Sequence, residues 1–511
     1  MMPNSTPLTK TPADMPTTDV ASTPRKATRA AKAAIPLHAT PPVAVVQRDL
    51  NDTLKLQRAA YLAHPNPSFE ERKADLLKLK AFVLDHRDAL VQAISEDYGH
   101  RSSHESLFAE IFSVIDGVNH TLKHLKKWMQ PQKRQVDLKN FLGASNRVIP
   151  QPLGVVGAII PWNFPIWTSF NGLICTFAAG NRSMVKMSEN SRRVAALLID
   201  KIPDYFNRDK LAFFDETGDV GVEFSKLKFD HLIFTGSGQT GKAVMAAAAA
   251  NLCPVTLELG GKSPAIICDD FPLQTAAERL LFAKCFNAGQ VCTTVDYLYL
   301  PQAKLKEFVA AAKQIVKGRY SSLASEDYTS IIDDRSFQRI VGALEEAQAM
   351  GATLVPLIPG PAWDASTRKI APHIVLNAPA DCALRTREIF GPVLPVIGYK
   401  TLNEPIDAIN AGPRPLALYP FSHDKAQIEH LITHVMSGGV TVNDGILHTA
   451  QHDLPFGGVG ESGMGHYHGY EGFVTFSKMR PVFYQAPFSA IKLLYPPYST
   501  FASKYLNFLT R

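Results

Sequence analysis

The amino-acid sequence predicts an α/β protein with a doubly wound, parallel sheet. From Gly154 onward, short apolar strands alternate with helical segments, and this order favours parallel strands joined by helices. The chain has 511 residues, so we expect two or three domains. The 46% share of hydrophobic residues is ordinary and allows a sizeable core in each of them.

The segment before Gly154 is predicted to begin with helices. Ser68-Phe69-Glu70-Glu71 has the pattern of a capping box and marks a helix start. A second helix is expected to end at Gly99. A third helix has apolar residues at alternating spacings of four and three, which gives one buried stripe: Ile111, Ile115, Val118, Leu122 and Leu125.

Two α/β regions follow, and their elements are predicted from apolar runs bounded by glycine and proline. In the first region, strands are expected over residues 155–160, 184–186 and 232–235, with helices over 165–180, 195–199 and 242–250. In the second region, which starts at Glu258, helices are expected near residues 273–286, 302–316 and 335–349.

Two further segments lie outside the pattern of alternating strands and helices. Residues 130–150 are polar and alternating, which suits a protruding hairpin. Beyond Gly472, the residues Val474, Phe476 and Met479 predict a strand that could pair with a partner subunit.

Composition excludes several classes of protein. The net charge of +6 is concentrated in the N-terminal segment, so it is poor support for a nucleic-acid surface. No apolar run approaches the roughly 18 residues that cross a bilayer. Residues 1–46 have no aromatic residue and many prolines, and we expect a disordered tail there.

Cysteine and histidine usage indicates the compartment and argues against a metal site. The six cysteines form no CxxC pair, which fits free thiols in a reducing compartment and predicts a cytoplasmic protein. There is no HExxH motif. His466 and His468 alternate at a glycine-rich turn, where structural packing is the better interpretation than metal binding.

The segment from Glu258 to Cys292 carries the main chemical signal. Glu258 opens a glycine turn, Glu258-Leu259-Gly260-Gly261-Lys262, and Cys292 closes a glycine loop, Gly289-Gln290-Val291-Cys292. A thiolate can attack a carbonyl, and a carboxylate can deprotonate the thiol or the water that later cleaves the thioester. A single cysteine is more often a packed small hydrophobe, so this pair gains meaning only from other motifs.

A dinucleotide fingerprint lies between a predicted strand and helix. Gly236, Gly238 and Gly241 match GxGxxG, in which small residues let the backbone approach a pyrophosphate at a helix N-terminus. Glu258 lies where such folds place a ribose-binding acid, and that role competes with general-base duty. Lys186 and Glu189 offer an alternative grip on the ribose hydroxyls, although a solvated charge pair is the common interpretation of such residues.

Two further turns carry candidate site residues. Asn163 sits between prolines directly after a strand, where its amide can donate to a developing oxyanion, worth about 3 kcal/mol. Glu388 and Phe390 lie at another turn, where the acid could hold a nicotinamide ribose and the ring could fix a nicotinamide face. Considered alone, Asn163 would be interpreted as a turn asparagine that satisfies the backbone, and the turn at Glu388 and Phe390 as a surface loop.

Taken together, these motifs resemble those of the aldehyde dehydrogenase superfamily, in the same order and over roughly residues 50–485. Finer features, over 467–473, 475–477 and 495–498, are similar to class 3-like members and, among them, to bacterial coniferyl aldehyde dehydrogenases. Met187 and Gly238 depart from the usual pattern, which has proline and threonine there, and could alter the choice between NAD and NADP. The resemblance rests on 161–165, 186–189, 234–237, 258–262, 289–292, 388–392 and 455–458.

The resemblance implies an aldehyde dehydrogenase-like fold and its mechanism. Cys292 would attack the aldehyde, Asn163 and the Cys292 N–H would hold the oxyanion, and Glu258 would activate water, although class 3-like members can use another glutamate. NAD or NADP would bind with Lys186 and Glu189 near the adenosine ribose. The other cofactor-binding residues would be Gly236, Ser237, Gly241, Glu388 and Phe390.

The resemblance also implies a domain division and a homodimer acting on an aromatic or long-chain aldehyde. Residues 47–129 and 151–257 would bind the cofactor and residues 258–443 would form the catalytic domain. Two alternatives remain: a CoA-acylating dehydrogenase and a catalytically silent scaffold. The bridging segments would be 130–150 and 444–485, with a C-terminal extension over 486–511.

Overall fold

The computed structural model describes residues 43–138, 141–217, 219–487 and 489–510. The first helix begins at Val43, so the predicted disordered tail was drawn four residues too long at its C-terminal end. The remainder of that predicted tail lies outside the described residues.

Helices precede, connect and follow the strands. The predicted capping box is confirmed, because Ser68 Oγ accepts from the Glu71 N–H and the Glu71 carboxylate accepts from the Ser68 N–H. The helices are α1 (Val43–Ala63), α2 (Phe69–Asp85), α3 (Arg87–Tyr98), α4 (Ser103–Ser106), α5 (Ser113–Trp128), α6 (Pro165–Ala178), α7 (Arg192–Lys201), α8 (Val220–Ser225), α9 (Gly238–Ala249), α10 (Leu273–Cys285), α11 (Leu305–Arg319), α12 (Asp334–Ala349), α13 (Ala383–Thr386), α14 (Asn403–Asn410), α15 (Lys425–His434), α16 (Gly469–Thr475) and α17 (Thr500–Leu509).

The strands are short and mostly buried. They are β1 (Gln132–Arg134), β2 (Ser145–Pro152), β3 (Val155–Ile159), β4 (Arg182–Lys186), β5 (Leu211–Phe214), β6 (His231–Gly236), β7 (Val255–Leu259), β8 (Pro264–Ile267), β9 (Tyr297–Pro301), β10 (Thr353–Pro356), β11 (Trp363–Asp364), β12 (Lys369–Ile370), β13 (His373–Leu376), β14 (Val393–Tyr399), β15 (Ala417–Phe421), β16 (Gly439–Val440), β17 (Gly463–Met464) and β18 (Ser477–Tyr484).

The first α/β region forms a six-stranded sheet in the order β17-β7-β6-β3-β4-β5. All neighbouring strands are parallel except β17, which runs antiparallel to β7. Val155, Leu232 and Leu257 contribute to the core of this layer. The predicted doubly wound parallel sheet is therefore confirmed, with one antiparallel edge strand that the sequence did not indicate.

The second α/β region forms a seven-stranded sheet in the order β10-β13-β14-β9-β8-β15-β16. Only β10 is antiparallel to its neighbour. Helices α10, α11 and α12 match the three predicted helices, with α11 displaced three residues toward the C-terminus. Leu280, Phe308 and Ile340 of these helices pack with Leu298 in the core of this layer.

A three-stranded sheet, β1-β2-β18, stands apart from both. The hairpin predicted over residues 130–150 is present, because β1 and β2 pair antiparallel. The predicted strand after Gly472 begins later than expected: Val474 lies in α16 and Phe476 caps that helix. That strand, β18, pairs with β2 of the same chain, and pairing with a partner subunit stays a prediction.

Two statements about absent features hold for the described ranges. No helix there combines the length and apolar character that crossing a membrane requires. Nor do three or more His, Cys, Asp or Glu side chains of those ranges gather in a way that could hold a metal ion.

Candidate active site

The carboxyl ends of three parallel strands place candidate residues at one edge of the six-stranded sheet. Glu258 is the penultimate residue of β7, Gly236 ends β6, and Asn163 follows β3 within four residues. In open α/β sheets, ligands bind in the crevice outside these strand ends. The strand order therefore explains why residues far apart in sequence converge here.

The turn before Cys292 has an unusual backbone. Asn287, Ala288 and Gly289 have φ values of 50°, 49° and 73°, three left-handed residues in succession. Each non-glycine residue in this region costs about 1–2 kcal/mol. A Cβ at Gly289 would overlap the Gly391 carbonyl, so only glycine fits there. The strained turn therefore fixes where the thiol is presented.

Hydrogen bonds hold this turn in place. The buried Gln290 amide donates to the Asn287 and Ser330 carbonyls, both at 3.0 Å, and accepts from the Ile332 N–H at 3.0 Å. The Glu105 carboxylate accepts from the Asn287 N–H at 2.9 Å. These contacts offset the backbone strain, and the three made by Gln290 are buried.

Cys292 lies where two cavities meet. We call the larger one, with a volume of about 330 Å³, the strand-end cleft. It contains seven of the ten predicted site residues and several polar groups. Its walls are formed by Pro161, Trp162, Asn163, Phe164, Trp167, Thr168, Thr235, Gly236, Ser237, Glu258, Leu259, Gly260, Cys292, Ser336, Arg339, Arg387, Glu388, Phe390, Leu416, Phe456 and Tyr467.

The smaller cavity, with a volume of about 90 Å³, we call the aromatic cavity. Its walls are mostly aromatic and aliphatic, and Cys292 is its sole titratable side chain among the residues described. It shares Phe164, Trp167, Cys292 and Phe456 with the strand-end cleft. The remaining walls are Phe108, Ala109, Ser113, Phe286, Val291, Thr293, Ile446, Leu447, Thr449 and Ala450.

Burial shifts the acid–base groups of the cleft. It raises the pKa of the Cys292 thiol to about 12, with further contributions from the negative charges of Glu388 and Glu258. Burial also raises the pKa of Glu258 well above its ordinary value. The pKa of Glu388 rises to about 8, through burial first and then the charge of Asp296. Carboxyls with raised pKa values are suited to accept protons near neutral pH.

Glu258 stands out because both of its carboxylate oxygens are buried without a hydrogen-bond partner among the described residues. Buried polar atoms are nearly always paired, and an exception calls for an explanation. Glu258 lines the same cleft as Cys292. A water or substrate group bound between them would supply the missing partner.

Asn163 is held by both its side chain and its main chain. Its Nδ2 donates to the Gln290 carbonyl at 3.2 Å, in the turn that leads to Cys292. An amide nitrogen carries two hydrogens, so one remains for a ligand oxygen. The side chain is 5% exposed and lines the cleft.

The predicted dinucleotide turn has a different basis from the one expected. A Cβ at Gly236 would come within 2.6 Å of the Phe234 ring, and one at Gly241 within 2.6 Å of Leu259. A Cβ at Gly238 would meet nothing within 4 Å. Internal packing therefore requires the outer two glycines, and Ser237 caps α9 through the Thr240 N–H.

Lys186 and Glu189 do not pair with each other. Lys186 forms an ion pair with Glu216, which also accepts from the Gly221 N–H at 3.0 Å. The Glu189 carboxylate accepts from Ser188 Oγ at 3.2 Å. Neither Lys186 nor Glu189 lines the cleft, nor does Gly241.

Sequence reasoning missed several residues of the site. Arg339, on α12, lines the cleft beside Glu388 and donates to the Ile389 carbonyl at 2.9 Å. Tyr467 is buried in the same cleft, and Glu216 pairs with Lys186. Arg339 and Glu216 are isolated charged residues without a motif, whereas Tyr467 belongs to a segment that carried only the finer resemblance.

A partly exposed cysteine and buried carboxyls in a strand-end cleft of a doubly wound sheet fit an enzyme that forms a covalent intermediate on a thiol. The sequence profile of the "Aldehyde dehydrogenase family" matches residues 30–482, and the chain belongs to this family. It is an NAD(P)-dependent enzyme that oxidises an aldehyde to the carboxylic acid. The sequence-based prediction of the family and of the reaction is confirmed.

Individual relatives support this assignment over nearly the whole chain. A probable coniferyl aldehyde dehydrogenase of Pseudomonas aeruginosa is 47% identical, covering 88% of this chain and 95% of that protein. A coniferyl aldehyde dehydrogenase of Pseudomonas sp. is 43% identical, covering 86% and 91%. The substrate-bound structure of Staphylococcus aureus AldH is 30% identical with a TM-score of 0.85, covering 90% and 99%.

Proposed function

We propose that this enzyme oxidises an aromatic aldehyde such as coniferaldehyde. The observation that carries the proposal is the aromatic cavity, which meets the thiol and is lined by the rings of Phe108, Phe164, Trp167, Phe286 and Phe456. Offset and edge-to-face contacts with a substrate ring are worth about 0.5–1.5 kcal/mol beyond apolar burial. The names of the two Pseudomonas relatives agree with this substrate class.

The cleft residues fit NAD or NADP, which this family uses. Ser237 and the start of α9 would face the pyrophosphate, because a helix N-terminus favours an anion. Glu388 would hold the nicotinamide ribose and Phe390, at edge-to-face distance from Trp162, would limit the position of the nicotinamide ring. When bound, the oxidised nicotinamide supplies the hydride acceptor.

The proposed chemistry uses three residues of this chain. The Cys292 thiol releases its proton to solvent, the thiolate attacks the aldehyde carbon, and Asn163 Nδ2 with the Cys292 N–H donates to the resulting oxyanion. After hydride loss, the acyl group remains on the sulfur as a thioester. Glu258 takes a proton from water, which attacks the thioester and releases the acid with a free thiol.

We further propose that NAD is preferred over NADP. Glu216 already neutralises the Lys186 ammonium at the expected adenosine end. A 2′-phosphate adds about 1.5–2 negative charges, which this lysine could not offset while paired. Binding of each cofactor, followed by tryptophan fluorescence, should show the weaker affinity for NADP. Glu216→Gln should narrow the difference.

A homodimer in the cytoplasm is also proposed. All six cysteines are free thiols, which suits a reducing compartment. The edge strand β18 exposes Phe483 and Tyr484, at 48% and 45%, as surfaces that a second subunit could cover. Light scattering after size-exclusion chromatography measures the mass, and a monomer would contradict the dimer.

Steady-state kinetics test the substrate proposal. Coniferaldehyde, benzaldehyde and a long-chain alkanal are compared with each nicotinamide cofactor. We expect the highest kcat/KM with coniferaldehyde, because its ring and conjugated chain can fill the aromatic cavity. A clear preference for the alkanal would reject the aromatic class. Strict dependence on CoA would replace the hydrolytic reaction by the acylating alternative, which the relatives do not favour.

A further inference from the structure

The segment from Asn163 to Trp167 carries three walls of the site. Asn163 faces the strand-end cleft, and Phe164 and Trp167 line both cavities. This segment also begins α6 at Pro165, whose N-cap residue Phe164 has no side chain that can accept a hydrogen bond. Its orientation therefore has to be set from outside the segment.

Arg101 contacts the main chain at one end of this segment. Its Nη1 donates to the Asn163 carbonyl at 2.9 Å and to Glu110 Oε1 at 2.8 Å. The guanidinium also lies over the rings of Phe164 and Tyr98, at 4.9 and 5.2 Å from their centroids. The Tyr98 hydroxyl donates to the same Asn163 carbonyl at 3.1 Å.

Glu110 contacts the main chain at the other end. Its Oε2 accepts from the N–H groups of Ile166 and Trp167, at 2.8 and 2.9 Å. These donors lie in the first turn of α6, where N–H groups have no partner within the helix. Glu110 thus caps α6 from a different part of the chain. It lies in a π-helical turn, Leu107–Phe112, a feature that is frequent at functional sites.

The pair is fully buried, since the side chains of Arg101 and Glu110 are both 0% exposed. Burial raises the pKa of Glu110, but its carboxyl accepts three hydrogen bonds, from Arg101 and two N–H groups, and these donors favour the ionised form. Arg101 Nε and Nη2 have no hydrogen-bond partner within the described part of the chain. A buried ion pair with unused donors is weak support for stability, so its presence calls for another role.

We propose that the Arg101–Glu110 ion pair is a positioning device for the oxyanion donor Asn163. It fixes the Asn163 carbonyl and the start of α6 together, so the Asn163 amide keeps its position in the cleft that Cys292 also lines. Neither Arg101 nor Glu110 lines either cavity, so both act through Asn163. A misplacement of about 1 Å can cost about 10²-fold in rate. This inference rests on the proposed role of Asn163.

A double-mutant cycle on coniferaldehyde oxidation tests it. Glu110→Gln keeps the side-chain size but leaves the buried arginine without its counter-charge, and we expect kcat to fall about 10–10²-fold. In an Asn163→Ala background the same change should lower kcat less than about 2-fold, because the donor it positions is gone. Cofactor affinity, measured by fluorescence, should stay unchanged, as should the rate of Cys292 alkylation by iodoacetamide.

A matched control separates positioning from loss of stability. Asp75→Asn breaks the ion pair between Asp75 and Lys210, whose side chains are 19% and 15% exposed, outside both cavities. It should lower Tm and leave kcat unchanged. If Glu110→Gln does not fold, Arg101→Lys takes its place in the cycle. Lysine retains the charge but lacks the planar guanidinium that donates to both Glu110 and the Asn163 carbonyl. The fall in kcat should therefore again depend on whether Asn163 is present.

The outcomes discriminate between the two proposals. An unchanged kcat in Glu110→Gln, or equal losses with and without Asn163, would overturn the positioning role while leaving aldehyde oxidation intact. Failure of the unmodified enzyme to oxidise the aldehyde would instead remove the proposed function. A fall in kcat that appears only in the Asn163→Ala background would also count against the positioning role.

Discussion

The two cavities that meet at Cys292 differ in the kind of recognition they offer. The aromatic cavity is small and, apart from the thiol, has no titratable lining among the residues described. The strand-end cleft is larger and holds Glu258, Glu388 and Arg339. The aromatic cavity, which can select a substrate by shape, and the charged strand-end cleft therefore share the Cys292 sulfur. Substrate choice and chemistry should be separable by mutation on either side.

The largest effect should come from the atom common to both cavities. Cys292→Ser should lower turnover by at least about 10³-fold, because an unactivated hydroxyl is a far weaker nucleophile than a thiolate. Turnover is followed by absorbance of the reduced cofactor, and circular dichroism checks the fold. Cys253→Ser, at a buried cysteine that lines neither cavity, should keep its activity. Retained turnover in Cys292→Ser would end the thiol mechanism.

The next effect should be confined to the strand-end cleft. Glu258→Gln should lower kcat about 10²-fold or more, because water then lacks its base. Acylation precedes that step, so rapid mixing should still show a burst of reduced cofactor.

Glu388→Gln is the matched control for this carboxylate, because Glu388 lies in the same cleft and also has a raised pKa. It should lower kcat less than Glu258→Gln. The reverse order of the two losses would transfer the role of base to Glu388.

A change in pH should affect kcat, which depends on the carboxyls of the strand-end cleft, more than KM, which depends on the aromatic cavity. A base works only when deprotonated, and burial raises the pKa of Glu258 above its ordinary value and that of Glu388 to about 8. Therefore kcat should fall as pH is lowered through the raised pKa of Glu258, which lies above the ordinary range of a carboxyl. The KM for an uncharged aldehyde should change little. A kcat that stays flat as pH is lowered in this way would contradict the assignment of either carboxyl as base.

The smallest effect should come from the aromatic cavity alone. Phe108 is 51% exposed and lies edge-to-face with Phe286, at 6.3 Å between centroids. Phe108→Ala should raise KM for coniferaldehyde about 5–10-fold, corresponding to about 1–1.4 kcal/mol, with kcat nearly unchanged. Phe501→Ala, at 54% exposure on α17, provides a control of similar exposure. Equal changes in both variants would argue against substrate contact at Phe108.

The sequence predicted the reacting residues of the site better than the residues that hold them in position. Glu258 and Cys292 were found because each lies beside glycines whose tight turns leave a short, readable pattern. Arg101 and Glu110 were missed because a buried ion pair has no local signature: its meaning comes from the Asn163 carbonyl, which lies more than fifty positions away.

The fold shows the same division. Strand β3 and helix α6 were predicted closely, since an apolar run and a proline start define them locally. The antiparallel strand β17 was not predicted, because two residues of a glycine-rich loop become a strand only through pairing with β7. The late strand was placed too early because apolar spacing around Val474 fits a helix as well.

The left-handed turn at residues 287–289 has a consequence for anyone redesigning this enzyme. Ala288 sits at φ 49° and Gly289 has no room for a side chain, so almost any exchange there would unseat the nucleophile. Libraries aimed at new aldehydes should leave these codons untouched and randomise Phe108, Ser113 and Thr449 instead. The variation is then confined to the lining of the aromatic cavity, and the turn that positions the sulfur stays unchanged.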